Sequence, residues 1–214
     1  MGKFFRLDSP FMVFLSRMTD LVILSLLWVV CCLPIITIGP SSAALYYVAL
    51  KIVRGEEPKV SSAFFYGFRK NFKQGVALNL IFIVLGTVLF WDYFIMSAVE
   101  GAYGTVSSVI FFVMGIWLLC IMFYAYPMQA QFYNTVKQTL INAAQLSMRK
   151  FSTTVLVFAL NMAPVLLLLY ATEIFVWTSP VWALVAPGVI AFICAKQFVK
   201  MFDPFLKTAE KENE

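Results

Sequence analysis

The stretch that decides the fold is residues 21–50, LVILSLLWVVCCLPIITIGPSSAALYYVAL, a run without one charged side chain. A helix that crosses a membrane needs roughly 20 apolar residues. The run is therefore too long for one crossing and short for two. Pro34 and Gly39-Pro40 interrupt it, and a proline inside a helix removes a backbone donor and ends or kinks it. The sequence predicts a helix to about Cys32, a broken stretch over 33–40, and a second helix from about Ala43 to Arg54. Non-helical backbone at membrane depth is tolerated only where protein buries it or a cavity hydrates it. Pro34, Gly39 and Pro40 are accordingly a candidate membrane-site break.

The rest of the chain extends this reading. Its 214 residues are 62% apolar, 17% aromatic and 13% charged, with a mean hydropathy of +0.87. Soluble domains carry about 25% charged residues, so a water-soluble globule is excluded. A disordered chain, which needs low hydrophobicity, is excluded too. There is no histidine, which removes His-based triads and imidazole metal sites. Cys31, Cys32, Cys120 and Cys194 all lie in apolar runs, and no CxxC pair exists. They read as small apolar side chains, and neither a metal nor a cofactor is expected. Absence of a Walker A loop, G-x-S-x-G or HExxH motif argues against an enzyme and leaves no catalytic residue to name.

Four cleaner apolar runs follow, at 76–96, 106–126, 154–172 and 182–199. Pro127 stands at the end of the second, Pro164 kinks the third and Pro187-Gly188 interrupts the fourth. Two interfacial amphipathic segments accompany them, one near 60–74, before the first of the four, and one near 131–151, between the second and third. In the first, Phe64, Phe65, Phe68 and Phe72 recur at helical spacing beside Arg69 and Lys70, as in a helix lying among lipid headgroups. The expected fold is all-α: a polytopic membrane bundle of about five to six membrane helices, the first pair short or re-entrant. Residues 1–202 form one membrane domain, and 203–214 a charged tail.

The 16 Lys and Arg residues fall into four regions. Lys3, Arg6 and Arg17 precede the first apolar run, and six lie in 51–73. Lys137, Arg149 and Lys150 form the third group; Lys196, Lys200, Lys207 and Lys211 form the last. The loops around Glu100 and Glu173 have none. The positive-inside rule places the basic regions, and both termini, in the cytoplasm of a multi-pass cell-membrane protein. An even number of crossings must then separate Arg17 from Lys51, which favours a hairpin over one crossing.

The basic residues Lys51, Arg54, Arg69, Lys70 and Lys73, with Asn134 and Asn142, are candidate contacts for a partner or for lipid headgroups. Anionic lipids attract such residues by about 1 kcal/mol each. Nucleic acid is not an expected partner beside so many apolar runs. Asp92 is a candidate intramembrane acid, or an interfacial one beside Trp91 and Tyr93. Arg17 and Asp20, three residues apart, are spaced to pair on one helix face. Asn79 and Asn161 are expected to hydrogen-bond between helices. The small or polar residues Gly86, Thr87, Gly115, Ala159, Asn161 and Ala163 suit helix–helix contact.

Several blocks carry a family likeness. Leu26-Leu27-Trp28, Leu33-Pro34-Ile35, Thr37-Ile38-Gly39-Pro40 and Ala44-Leu45-Tyr46-Tyr47 resemble the YesL-like bacterial membrane proteins, as do 51–57 and 64–73. Tyr126-Pro127, Ala130, Phe132, Asn134, Asn142-Ala143 and Ser147 continue the resemblance, which thins after Phe151. That family has no established activity, and its members accompany carbohydrate ABC importers in Gram-positive bacteria. The resemblance thus implies a non-enzymatic accessory or partner subunit of an importer permease, surrounded by membrane lipids. A small transporter or channel acting alone is the alternative. Gln131 stands where such sequences often carry Arg, which makes a charge role there doubtful.

Overall fold

The computed structural model describes residues 10–211; Lys3, Arg6 and the last three residues of the expected tail lie outside the described residues. The first helix, α1, spans Pro10–Cys31. After Cys32, Leu33 and Pro34 comes one 3-10 turn, Ile35–Thr37, and then α2, Ile38–Val53. The break is shorter than the sequence predicts. Pro34 precedes the 3-10 turn, but Gly39 and Pro40 stand in the first turn of α2. A proline is tolerated there because its missing N–H would have had no partner inside the helix. The two helices fold back on one another: Arg17 Nη2, well before the end of α1, lies 3.6 Å from Glu57 Oε1, just past α2. The Arg17 charge still acts on Asp20, as their spacing leads one to expect, but its ion-pair contact is made across the hairpin.

Helix α3 spans Val60–Ser97, 38 residues and, at 1.5 Å per residue, about 57 Å. The expected interfacial helix near 60–74 and the apolar run 76–96 are therefore one unbroken element. It runs antiparallel to α2, with Gly67 against the Tyr47 ring and Gly75 against Gly39-Pro40. The last contact is the closest. A Cβ on Gly75 would sit 2.7 Å from Pro40 N, and a Cβ on Gly39 would collide with the Gly75 carbonyl oxygen. Only glycine at both positions allows this approach. One turn further on, Asn79 Nδ2 donates to Ile35 O at 2.8 Å. The tip of the α1–α2 hairpin is thus level with Asn79. From there α3 runs on for 18 residues to Ser97, about 27 Å past the tip.

Helix α4, Ala102–Gln131, returns along α3. Tyr93 meets Phe112 at 5.9 Å between ring centroids, Phe82 meets Tyr126 at 6.2 Å, and Gln129 Nε2 donates to Asn71 O at 3.1 Å. The helix passes through Pro127 instead of ending there. Helix α5, Val136–Arg149, is N-capped by Thr135, whose hydroxyl accepts from Gln138 N at 3.3 Å, the usual repair for a free helical N–H. Helices α6 (Phe151–Tyr170), α7 (Thr172–Leu184) and α8 (Ala186–Lys211) complete the chain. The expected last apolar run, 182–199, straddles the junction of α7 and α8, which meet at Val185 with a bend of 60°. Pro187 is in the first turn of α8. The backbone stays helical to Lys211, so 203–211 of the charged tail extends α8.

Helix α2 sits at the centre. Ala43, Ala44, Val48 and Ala49 are fully buried, and Phe64 of α3, Tyr124 of α4 and Phe198 and Phe202 of α8 close around them. Small side chains on α2 let the neighbouring backbones come near. Buried hydroxyls link the helices further. Ser25 Oγ donates to Leu21 O and accepts from Gly188 N at 2.8 Å, joining α1 to α8. Tyr124 OH lies 2.9 Å from Thr154 Oγ1, which donates to Ser147 O at 2.7 Å, joining α4, α5 and α6.

Away from this centre the surface is apolar and open, as at Val84, Phe90, Phe112 and Val113. Residues 35–53, α3, α4 and α6 are each long and apolar enough to cross a membrane, and the bent α7–α8 pair brings the number to as many as five. The architecture is an all-helical, multi-pass membrane bundle with no strand among the described residues.

Candidate functional site

Four of the sequence-derived residues, Arg69, Lys70, Lys73 and Asn134, converge where α3 faces the extended segment 132–135. Arg69, Lys70 and Lys73 are one turn or less apart on α3, and all three are exposed. Together with Asn71, Gln74, Tyr133, Asn134 and Thr135 they line a groove of about 500 Å³. Lys70 is held by aromatic rings. Its ammonium lies 4.1 Å from the Tyr133 centroid and 5.5 Å from that of Tyr47, within the range of a cation–π contact. No Asp or Glu lines the groove. The segment 132–135 is fixed at both ends: Phe132 packs edge-on against Phe202 at 5.2 Å, and Thr135 caps α5. A shallower depression on the same side shares Arg69 and Lys70 and adds Ser62, Phe65 and Tyr66.

Two further candidate cations, Lys51 and Arg54, have partners and stand apart from the groove lining. Lys51 Nζ bonds Glu56 Oε2 at 2.7 Å. That contact is exposed and is worth well under 1 kcal/mol. Arg54 Nη1 donates to Gln131 Oε1 at 2.8 Å, and its Nη2 lies 3.6 Å from Asp203 Oδ1. This knot ties the end of α2 to the ends of α4 and α8. Gln131 thereby serves as an acceptor, a role that an arginine there would not fill. Asn142 is on α5, where its Oδ1 accepts from Gln138 Nε2 at 2.9 Å; it does not line the groove. Asn79 bonds between helices as expected, to Ile35 O and to Tyr126 OH at 3.4 Å. Asn161 bonds Val157 O within its own helix and lies 3.9 Å from Cys194 Sγ on α8.

Gly39 and Pro40 are buried at the α2–α3 crossing, and Pro34 turns the hairpin tip, whose side chains Leu33, Ile35 and Ile36 are exposed. Asp92 is half-buried near the far end of α3, beside the exposed Trp91. Between α1, α2, α4, α6, α7 and α8 lies a second cavity of about 570 Å³ lined by Trp28, Tyr46, Tyr126, Phe175 and Trp182 among others. Its polar groups are already engaged: Trp28 Nε1 donates to Ser42 Oγ at 3.2 Å and Ser179 Oγ to Val176 O at 2.8 Å.

The aromatic partner Tyr133 was not singled out by its sequence. It follows Phe132 just past the end of α4, and only the turn after α4 brings it over Lys70. The signal that was available is the charge run Arg69-Lys70 with Lys73, which places three cations on one helical face.

Residues 21–93 match the model of a family described as a protein of unknown function, DUF624. The matched part covers the second half of α1, the hairpin tip, α2 and most of α3, including the three cations of the groove. No curated protein and no solved structure matches the chain. The chain is thus similar over about a third of its length to a family whose description names no activity.

Proposed function

We propose that this chain is a non-enzymatic accessory subunit of a larger membrane complex, and that its partner is the permease of a carbohydrate ABC-type importer in a Gram-positive bacterium. The observation that carries the reading is the part of α3 and α4 beyond the hairpin tip. There the two helices pack on each other and present exposed apolar side chains outward. An added Cβ at Gly86 or Gly115 would meet nothing within 4 Å. The two glycines help line a groove of about 300 Å³ with Phe82, Leu89, Tyr93 and Phe112. Small residues facing open space give another transmembrane helix room for close approach. The identity of the permease rests on the resemblance to the YesL-like proteins.

The membrane frame follows from α3. Lys73 and Asp92 are 19 residues apart, about 28 Å of helix, close to the ~30 Å of a hydrocarbon core. In this frame Lys73 stands at one headgroup layer and Asp92, with Trp91 and Tyr93, at the other. The basic end faces the cytoplasm by the positive-inside rule. The α1–α2 hairpin enters from that side and turns back inside the bilayer. Lipids cover the remaining apolar surface.

Affinity isolation from native membranes tests the proposal. The wild-type chain is expected to recover the importer permease, and a Gly86→Leu, Gly115→Leu double variant to lose it at unchanged expression. A wild-type chain isolated repeatedly without any permease would overturn the reading.

A transporter acting alone draws support from the cavity beside the α7–α8 bend, because interrupted membrane helices mark transport sites. Its bonded polar groups leave few free contacts for a polar solute, so it is the second reading. Solute flux into liposomes holding only this chain would favour it over the accessory role.

A further inference from the structure

We infer that the groove formed by Arg69, Lys70, Lys73 and Asn134 is a binding site for a phosphate-bearing anion. Like charges one helical turn apart destabilise the helix that carries them. Among the described residues none of these three cations makes an ion pair, whereas Arg17, Lys51 and Arg54 each do. The groove therefore holds three positive charges, and no carboxylate lines it.

Geometry supplies the second step. Lys70 is not a free surface lysine: rings of Tyr133 and Tyr47 hold its ammonium. Asn134 and Gln74 add amide donors at the rim. The first turn of α5 begins at the groove beside Thr135, and its N–H groups favour negative charge. An anion with several acceptor oxygens uses such a fork of Arg, Lys and amide donors better than a lone carboxylate does. A volume of about 500 Å³ accommodates a phosphate ester as well as a bare ion. The ester comes from one of two sources, an anionic lipid headgroup or a soluble phosphate compound. This inference does not depend on the importer partner.

The test uses the full-length chain in two arms. In the first, the protein is taken from membranes containing phosphatidylglycerol and the retained lipid is counted by native mass spectrometry. In the second, it is placed in phosphatidylcholine nanodiscs and titrated with inorganic phosphate and glycerol 3-phosphate by calorimetry. Lys70→Gln and Lys73→Gln are compared with Lys59→Gln and Lys150→Gln, which remove the same charge outside the groove lining. Thermal unfolding checks that all variants fold. The groove variants are expected to weaken binding about fivefold for each cation removed, while the outside variants leave it unchanged. Loss confined to the first arm assigns a lipid headgroup, and loss confined to the second a soluble phosphate. Equal loss for all variants would reduce the effect to diffuse surface charge and overturn the site, as would no binding in either arm.

Discussion

Two regions of this molecule use the same residue types to opposite ends. Around α2, apolar side chains are sealed between helices, and Gly39 and Gly75 bring two backbones into contact. Beyond Asn79, the α3–α4 pair carries equally apolar side chains, but they face outward, and Gly86 and Gly115 touch nothing. Hydropathy alone does not separate the two regions, because lipid tails are as apolar as a protein core. What separates them is the number of helices alongside. Among the described residues four other helices, α1, α3, α4 and α8, pack around α2, whereas α3 past the hairpin tip keeps α4 as its companion. A glycine in the first region is required by close packing; a glycine in the second faces open space.

The largest expected effect belongs to the packed region. Phe198 is fully buried and stacks at 5.6 Å on Phe202 while meeting Tyr124 edge-on at 5.2 Å. Phe198→Ala is expected to cost about 3–5 kcal/mol, measured by unfolding in a detergent titration. Gly75→Leu comes next. Its side chain has no space against the Pro40 backbone, and overpacking of this kind costs about 1–3 kcal/mol. A Gly75→Leu protein as stable as wild type would break the contrast between the two regions.

Smaller effects sharpen the boundary between them. Asn79→Ala removes the donor to Ile35 O and leaves that carbonyl without its partner. It is expected to cost about 1 kcal/mol and to raise hydrogen exchange at the hairpin tip. Gly86→Leu should change the stability of the isolated chain by less than about 0.5 kcal/mol, because its side chain enters open space. The same substitution, paired with Gly115→Leu, is the one expected to abolish partner capture. Stability and function are therefore predicted to fail at different glycines.

Much of the helical outline was legible in the sequence, and the reasons for the misses are physical. The switch from Lys73 to the apolar run after Gly75 looked like a helix boundary. A helix continues through a change of polarity, however, and Gly75 is there for the crossing with Pro40. Pro40 looked like a breaker, but proline breaks a helix only past its first turn, and where that turn falls depends on the 3-10 turn before it. Local spacing pairs Arg17 with Asp20, on which its charge does act; its ion-pair partner Glu57 is brought near only by the return of the hairpin. In the candidate site, Arg69, Lys70 and Lys73 were visible as a run on one face, and Asn134 as a nearby polar residue. Tyr133 was not visible, because its contact with Lys70 exists only after α3 and α4 pair. Asn142, grouped with them by sequence, lies on α5 and does not line the groove.

The central claim is that the α1–α2 hairpin turns back level with Asn79 while α3 and α4 continue across the membrane. It is tested most directly by depth. In a background free of the four cysteines, one cysteine replaces Leu33, Ile83 or Tyr103 and carries a spin label. Accessibility to dissolved oxygen and to an impermeant nickel complex is then read in oriented vesicles. The account predicts Leu33 shielded from the complex added on the far side and placed nearer the basic face than Ile83, with Tyr103 reached from the far side. A Leu33 label quenched from the same side as Tyr103 would mean that the hairpin crosses completely, and would contradict the account.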